Sequence, residues 1–587
     1  MRIGLLTEGG YPYATGESRL WCDRLVRGLA QHEYDIYALS RSARQEAGGW
    51  TQLPPQVRRV RTAPLWAPQD NGGTYGRRER RRFAEHFGEL AGAICAPDEE
   101  GAGERFAAGL YGLAELAGER GGLHAALRSE TAVRALEAAC RAPGANRAVH
   151  AAKVPDYLEC VDLLERALRP LSLDWYDDES LGAVDLCHAA SGGPAALPGL
   201  LGKRFFGVPL LVTEYGVQLR AHYLAAGDPA RSAPVRALLA AFHGRLAAEV
   251  YDRATLITPG NTHARRWQER CGADRAKLRT VYPGMEADRF AAVGEGDDGG
   301  DPRTLVWVGR VEPAKDLVSL LHAFAEVRKA QPRARLRLVH SRHGQGADAA
   351  AYLAHCEALA AQLFPDEAAD AHTVGDNPVS FEEIGGPEVP DVADAYAAGS
   401  VVVLSSVVEG FPVSLVEAMF CGRATVSTDV GAVCEVIGGT GLVVPPRNPR
   451  ALADACVALL RDPERRERLG AAARARALEL FTVEQNLEAF RGIYLELISH
   501  CPVRREAVGT DGEPLLFAHP AEAHVPVRWA GGGTSGGARG GAGGGAGGGA
   551  RGGAGGGIST PSWAKTVDPP HRVSAGAGPG RPGQRDA

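Results

Sequence analysis

The period of the apolar positions changes along the chain, and the changes mark out its elements. Ile3–Leu6 is a short continuous apolar run, Thr7–Gly16 is rich in turn formers, and Leu20, Leu25, Val26 and Leu29 recur at helical spacing before a second run at Asp35–Leu39. Short apolar runs bounded by turn formers predict strands, and recurrence every third or fourth position predicts an amphipathic helix. The chain therefore opens strand, glycine loop, helix, strand. From about Tyr75 to Leu171 the pattern becomes Ala/Leu/Glu/Arg-rich with helical period, broken by loops at Ala96–Gly103 and Ala142–Asn146, which predicts a helical insertion. Alternation then resumes. Strands are expected at Ala183–Cys187, Pro209–Thr213, Thr255–Thr258 and Leu278–Tyr282, with helices at Ala195–Phe206, at Pro234–Tyr251 and from Asn261.

A second alternating series follows the acidic, Gly-rich linker Gly294–Asp301. It reads strand Thr304–Val308, helix Leu317–Lys329, strand Leu336–His340, helix Ala349–Leu363, strand Val401–Leu404, helix Val413–Cys421, strand Ala424–Ser427. Helices Pro449–Arg461, Glu464–Leu480 and Val483–His500 close it. Strands alternating with helices predict parallel sheets covered on both faces, so the chain is α/β, with two Rossmann-like halves and a cleft between them. The expected boundaries are a first domain over 1–293 with its insertion at about 75–171, a second over 302–480, a closing helix over 481–501 and a tail over 502–587.

Composition changes this picture at one place. Of 75 glycines, 18 lie in the 27 residues Gly531–Gly557, a stretch with almost nothing to bury and so too little gain to offset its ordering entropy. The tail is expected to be disordered. The remainder is average for a globular protein, with 45% hydrophobic and 23% charged residues. A net charge of -6 gives no positive field for collecting phosphate backbones, so nucleic acid is not an expected partner. No apolar run is long enough to span a bilayer and Met1-Arg2 leads into a strand, which predicts a cytoplasmic protein. The 11 cysteines form no C-x-x-C pair and no Cys/His cluster at zinc spacing, so neither disulfides nor a metal are expected.

The chemistry concentrates in the second half. Glu409-Gly410-Phe411-Pro412-Val413 follows an apolar strand and leads into a helix carrying Glu417. A helix N-terminus at the carboxyl end of a parallel strand seats an anionic or polyhydroxylated ligand, and Pro412 suits a first helical turn because its missing N–H would have no partner there. Glu409 on the loop and Glu417 one turn deeper can hold two sets of hydroxyls. Gly309, Arg310 and Lys315 end the first strand of this half: Gly309 allows close backbone approach, and Arg310 and Lys315 offer a planar fork and a point charge to a diphosphate without a metal. The alternative for these two cations is solvation or pairing with a carboxylate such as Asp316.

These residues resemble the retaining GT-B glycosyltransferases of the glycogen-synthase and sucrose-synthase type. The G-R-x-x-x-x-K element, the two glutamates separated by seven residues and the glycine loop Asp429-Val430-Gly431-Ala432 ahead of Glu435 stand in the family's order. The PelF-like branch is most similar, through Leu6-Thr7-Glu8-Gly9-Gly10-Tyr11-Pro12-Tyr13, Gly16 and Trp21, Asp185-Leu186-Cys187-His188-Ala189 and Leu211-Val212-Thr213-Glu214-Tyr215-Gly216. The resemblance covers about residues 1–500 and implies a GT-B fold and a nucleotide sugar as co-substrate, with no other cofactor and no metal. UDP-glucose is the first choice of donor, with GDP-mannose and other UDP-sugars left open. The implied acceptor is a glycan or small molecule, and the implied setting is polysaccharide synthesis at the inner face of the membrane beside export proteins.

Carried over by position, Arg310 and Lys315 bind the diphosphate, Glu417 the ribose, and Glu409 with the N–H groups around Gly410, Phe411, Pro412 and Val413 the donor sugar. The family's retention of anomeric configuration is ascribed to front-face attack in which the leaving diphosphate takes the acceptor proton. On the acceptor side the resemblance points to Gly16, Glu17, His188, Glu214 and Tyr215. His188 ends a strand and either faces the cleft, where a neutral imidazole can hydrogen-bond a hydroxyl or assist catalysis, or is satisfied within the fold. Relatives carry His in place of Tyr215 and a second glycine in place of Glu17. A non-catalytic nucleotide-sugar-binding scaffold of a polysaccharide assembly complex is the alternative function. A nicotinamide oxidoreductase is not supported, because Gly4–Gly16 supplies no GxGxxG fingerprint.

Overall fold

The computed structural model describes residues 1–15, 18–67, 74–225, 231–296, 299–341, 347–365 and 377–500. The expected disordered tail and the loop residues Gly16 and Glu17 lie outside the described residues. Strands β1 (Arg2–Glu8), β2 (Glu33–Ser40), β3 (Val57–Pro64), β4 (Leu186–Ala189), β5 (Leu210–Glu214) and β6 (Leu256–Pro259) form one six-stranded sheet in the order β3-β2-β1-β4-β5-β6. Strands β7 (Asp301–Gly309), β8 (Arg335–His340), β9 (Val379–Glu383), β10 (Gly399–Leu404), β11 (Ala424–Thr428) and β12 (Leu442–Val444) form a second in the order β12-β11-β10-β7-β8-β9. Every pairing is parallel, for example Leu5 opposite Ile36 and His188, and Val402 opposite Thr425 and Val306. Each sheet reverses its winding once, between β1 and β4 and between β7 and β10, and loops diverging from such a point leave a crevice at the carboxyl ends of the strands.

Central strands are apolar throughout because helices cover both faces. Leu5, Ile36, Leu211, Val306 and Val401 are fully buried. The strands that the apolar pattern does not announce are β3, β9 and β12, which are edges: β3 carries Arg58, Arg59 and Arg61, and all of β12 is half-buried. Charged side chains on an edge discourage pairing with another chain and erase the apolar run that marks an interior strand. The segment expected as a strand at Leu278–Tyr282 is not a full strand but does run beside β6: Leu278 bridges Ile257, and Arg279 N and Val281 N donate to Ile257 O at 3.0 Å and Pro259 O at 2.9 Å.

The insertion between β3 and β4 is helical, built on Arg77–Cys95, Ala102–Arg120, Glu130–Cys140 and Val154–Leu168. Its apolar faces join the first sheet in one cluster through Leu6 and Tyr37. A buried ion pair locks its last turn: Arg169 donates to Glu165 at 2.6 and 2.7 Å and to the Leu65 carbonyl at 2.6 Å, and His124 Nδ1 lies 2.7 Å from the same carboxylate.

The chain crosses between domains twice, side by side. Met285 N donates to Phe481 O at 2.8 Å on the way out, and Val483 N to Met285 O at 3.2 Å on the way back. Helix Val483–His500 then covers the first sheet, burying Phe490, Ile493, Tyr494 and Leu497 against Ile3, Leu5, Tyr34 and Ile36. At about 1.5–3 kcal/mol for each large apolar side chain, that contact is worth roughly 6–12 kcal/mol as an upper figure.

Candidate active site

In the second domain the loops after β7 and β10 are bound to one another. The turn Pro313–Lys315 accepts from the neighbouring loop three times, Ser405 Oγ donating to Lys315 O at 2.7 Å and Val407 N and Val408 N to Ala314 O at 2.8 and 3.4 Å. Asp316 follows in the left-handed region (φ 49°) and caps helix Leu317–Ala330 through Ser319 N at 3.3 Å. Lys315 Nζ donates to Glu409 Oε1, which also accepts from Ser406 Oγ at 2.8 Å. Glu409 is thereby almost fully buried and fixed. Arg310 is instead exposed, its nearest carboxylate being Glu312 at 3.7 Å, and Gly309 packs beneath it over the Trp307 ring.

The helix that follows begins at Val413, with Pro412 one place outside it as the cap residue and not inside the first turn. A tight turn uses the Val413 N–H, which donates to Phe411 O at 3.0 Å. Among the described residues the Gly410, Phe411 and Ser414 N–H groups have no hydrogen-bond partner, and they can donate to a ligand. Gly431 (φ 59°) backs the loop: a Cβ there would lie 2.5 Å from Glu409 O. One turn into the helix, Glu417 Oε2 accepts from Tyr396 OH at 2.8 Å, and burial raises its pKa against that hydrogen bond.

In the first domain a cavity of about 810 Å³ opens at the carboxyl ends of β1, β4 and β5. Glu214, at the end of β5, lies on its floor, accepting from Tyr251 OH, Gln268 Nε2 (3.3 Å), Gly192 N (3.3 Å) and Gln218 N (3.4 Å). Burial raises its pKa despite these donors. Tyr215 stands edge-on to Trp21 with centroids 5.4 Å apart, and its hydroxyl accepts from Asn486 Nδ2 at 3.3 Å. The insertion helix Val154–Leu168 supplies Leu163 and Arg166 to the wall, and helix Gln218–Ala225 supplies Arg220 and His222.

His188 does not reach this cavity, which corrects its expected place on the acceptor side. The imidazole is fully buried between the sheet and helix Val483–His500, with Nδ1 2.7 Å from Tyr494 OH and Nε2 2.7 Å from Thr213 Oγ1. The Trp21, Phe490 and Tyr494 rings surround it. Burial lowers its pKa to about 3, so it is neutral and both nitrogens are engaged. It fastens the returning helix.

The two half-sites touch. Arg220, on the cavity wall, donates from NH2 to Glu409 O at 2.7 Å. Glu435 Oε2 accepts from Thr262 N at 2.7 Å and from Thr262 Oγ1, and its Oε1 accepts from Tyr282 OH at 2.9 Å. The carboxyl-end loops of the sheets therefore face one another, bringing Arg310, Lys315, Glu409 and Glu417 to one side and Glu214 and Tyr215 to the other. Arg220, Ser406 and Tyr396 are not announced by the sequence. Helix Gln218–Ala225 buries none of its residues and so has no apolar stripe, and the other two act only through residues distant in the chain. Among the described residues no helix is long and apolar enough to cross a membrane.

Residues 1–276 match a domain of unknown function (DUF3492), and residues 302–462 match the family described as glycosyl transferases group 1. The D-inositol 3-phosphate glycosyltransferase of Kribbella flavida is 31% identical over 307 residues, covering 50% of this chain and 68% of the relative. That of Kineococcus radiotolerans is 33% identical over 242 residues, covering 38% of this chain and 53% of the relative. The chain thus spans about half to two thirds of the length of these curated relatives. Sucrose-phosphate synthase from Thermosynechococcus elongatus has a similar fold (TM-score 0.51, 19% identity, 85% of this chain and 99% of that one). So does the Anabaena protein HepE solved with UDP (TM-score 0.50, 14% identity, 85% and 100%). The chain belongs to the group 1 glycosyltransferases, and its paired parallel sheets are the GT-B fold.

Proposed function

We propose that the protein is a retaining glycosyltransferase that moves a hexose from a nucleotide sugar to a glycan or small-molecule acceptor in polysaccharide or glycoconjugate synthesis. The observation that carries this reading is the fixed Lys315–Glu409–Ser406 group beside an exposed Arg310, where the second sheet reverses its winding. Arg310 and Lys315 bind the donor diphosphate. Glu409 and the Gly410 and Phe411 N–H groups hold the donor sugar, and Glu417 accepts from the ribose hydroxyls. Glu214 and Tyr215 line the acceptor's side. The names of the curated relatives support glycosyl transfer as the reaction. UDP-glucose is the favoured donor.

Positive charge preset around the leaving diphosphate stabilises the charge that develops as the glycosidic bond breaks, and costs no reorganisation at that moment. The acceptor hydroxyl attacks from the face the diphosphate leaves, and its proton passes to the departing phosphate oxygen. Neither glutamate is needed as a nucleophile. The test is thermal stabilisation by a panel of nucleotides and nucleotide sugars, in the wild type and in the Arg310→Ala/Lys315→Ala double variant. A selective rise in Tm with one UDP- or GDP-sugar, lost in the variant, names the donor. No shift with any nucleotide sugar at millimolar concentration overturns the reading in favour of a scaffold.

A further inference from the structure

We infer that Glu435 is a positioning residue for the transfer reaction: it holds the donor loop of the second domain and the acceptor floor of the first in one register, and it is not itself a ligand of the donor. The inference rests on the glycosyl-transfer reading for the words donor and acceptor, though not for the contact. Glu435 lies in helix Val433–Ile437, directly after the glycine loop that backs the donor site. Ala432 N donates to Gly410 O at 3.1 Å, and a Cβ on Gly431 would lie 2.5 Å from Glu409 O. Its place in the sequence suggests one more donor ligand, yet its carboxylate leaves the second domain altogether. Glu435 Oε2 accepts from Thr262 N at 2.7 Å and from Thr262 Oγ1, and Oε1 accepts from Tyr282 OH at 2.9 Å. All three donors stand ahead of the crossing at Met285.

Thr262 opens helix Thr262–Arg270, whose cap residue Asn261 accepts from Ala264 N at 2.8 Å and leaves the Thr262 N–H to Glu435. A carboxylate at a helix N-terminus meets unpaired N–H groups and the positive end of the macrodipole, and its charge strengthens each bond. Here the other domain supplies it. Among the described residues Glu435 makes no ion pair, and Arg476 donates instead to the main-chain carbonyls of Glu435 and Val436 at 2.8 and 2.9 Å. Further along the same helix, Gln268 Nε2 donates to Glu214 Oε2 on the cavity floor at 3.3 Å. Tyr282 is held in turn by Asn486, whose Nδ2 donates to Tyr282 O at 2.6 Å and to Tyr215 OH at 3.3 Å. Glu435 therefore stands between Gly410 on the donor side and Glu214 and Tyr215 on the acceptor side. A second bond across the cleft, Arg220 to Glu409 O at 2.7 Å, meets the donor loop itself, and two separate contacts fix orientation as well as distance. Thr262 is exposed and Glu435 half-buried, which suits a contact that breaks and re-forms as the cleft admits its substrates.

The experiment uses the full chain, with UDP-glucose as donor probe and glucose, maltose and inositol as acceptor probes, in wild type, Glu435→Ala, Glu435→Gln and Thr262→Val. Calorimetric titration is expected to give a donor Kd that changes by less than about twofold in every variant, because the donor's assigned ligands all lie elsewhere in the second domain. In Glu435→Ala the kcat for transfer falls roughly three- to tenfold, the loss of partly exposed charge-assisted bonds that position and do not react. Glu435→Gln restores part of it, since the amide oxygen still accepts from Thr262 N. Thr262→Val costs less and adds nothing in the Glu435→Ala background, where its bond is already gone. Hydrogen exchange at the Thr262 amide speeds up in Glu435→Ala. A donor Kd that weakens in step with kcat overturns the inference and makes Glu435 a donor ligand. So does a wild-type kcat in Glu435→Ala, or Thr262 exchange that this variant leaves unchanged. If Glu435→Ala does not fold, Thr262→Val and Tyr282→Phe carry the same comparison of kcat with donor Kd. Failure of the glycosyl-transfer reading shows separately, as a wild type that no nucleotide sugar stabilises, while exchange at Thr262 still decides whether the contact exists.

Discussion

Lys315 Nζ donates to the Glu409 carboxylate, tying the turn after β7 to the loop after β10 across the place where the second sheet reverses its winding. The pair holds one charge of each sign where a sugar diphosphate would carry its polar groups. Lys315→Ala removes the cation and leaves Glu409 with Ser406 alone. Loss of one preset charge-stabilising donor costs about 10²–10³ in rate, so kcat/KM for sugar release from the donor is expected to fall by that order. A Tm that collapses instead would show the pair to be structural.

Gly431 is the second point at which the donor loop can be moved. A methyl group there meets Glu409 O at 2.5 Å and Gly410 O at 2.8 Å, on backbone at φ 59°. Gly431→Ala therefore has to displace the loop, and the left-handed conformation alone costs about 1–2 kcal/mol for a residue with a Cβ. The expected outcome is a lowered Tm together with a weaker nucleotide-sugar shift, read by the same thermal assay. An unchanged shift would mean that the loop tolerates movement.

Tyr396→Phe tests Glu417. The phenol donates to Glu417 Oε2 at 2.8 Å, and its removal leaves a half-buried carboxylate short of one donor. A net hydrogen bond of about 0.5–1.5 kcal/mol corresponds to a roughly two- to twelvefold effect. It should appear in the KM for the donor and not in kcat, because the ribose takes no part in bond breaking.

His188 predicts a pH dependence of stability. Its folded-state pKa is lowered to about 3 by burial, against an ordinary value of 6.5, so the unfolded chain binds the proton first as pH falls. The contribution of His188 is complete above pH 6.5 and is lost progressively between pH 6.5 and 3, with a slope of up to about 1.4 kcal/mol per pH unit. His243, lowered to about 4 chiefly by burial, adds to the slope in the upper part of that window. Denaturant titrations of wild type and His188→Gln across this range should differ in slope. The variant is expected to lose stability by a few kcal/mol, from two disrupted buried hydrogen bonds, while the folded enzyme keeps its kcat.

The legible parts of this chain are those where local pattern and tertiary role agree. Val401–Leu404 and Ala424–Ser427 are buried on both faces, and an apolar run is what such a strand requires. The Glu409–Glu417 segment is readable because strand end, turn and helix start succeed one another within a dozen residues. His188 misleads for the opposite reason: its position at a strand end is visible in the sequence, but the helix that covers it comes three hundred residues later. Arg220 is invisible because its helix has no apolar stripe and its partner is a carbonyl, which any residue possesses. The edge strand β3 is disguised by the arginines that suit it to an edge.

Helix Val483–His500 gives the order of synthesis a structural meaning. The first strand emerges from the ribosome early, yet the face it shares with Tyr34 and Ile36 is closed by Phe490, Ile493, Tyr494 and Leu497. The amino-terminal domain therefore waits, with apolar surface uncovered, while the entire second domain is made, and a chain cut at 480 strands it there. Chaperone engagement during translation should end only as this helix docks, and the second domain, though later in the chain, can finish folding first.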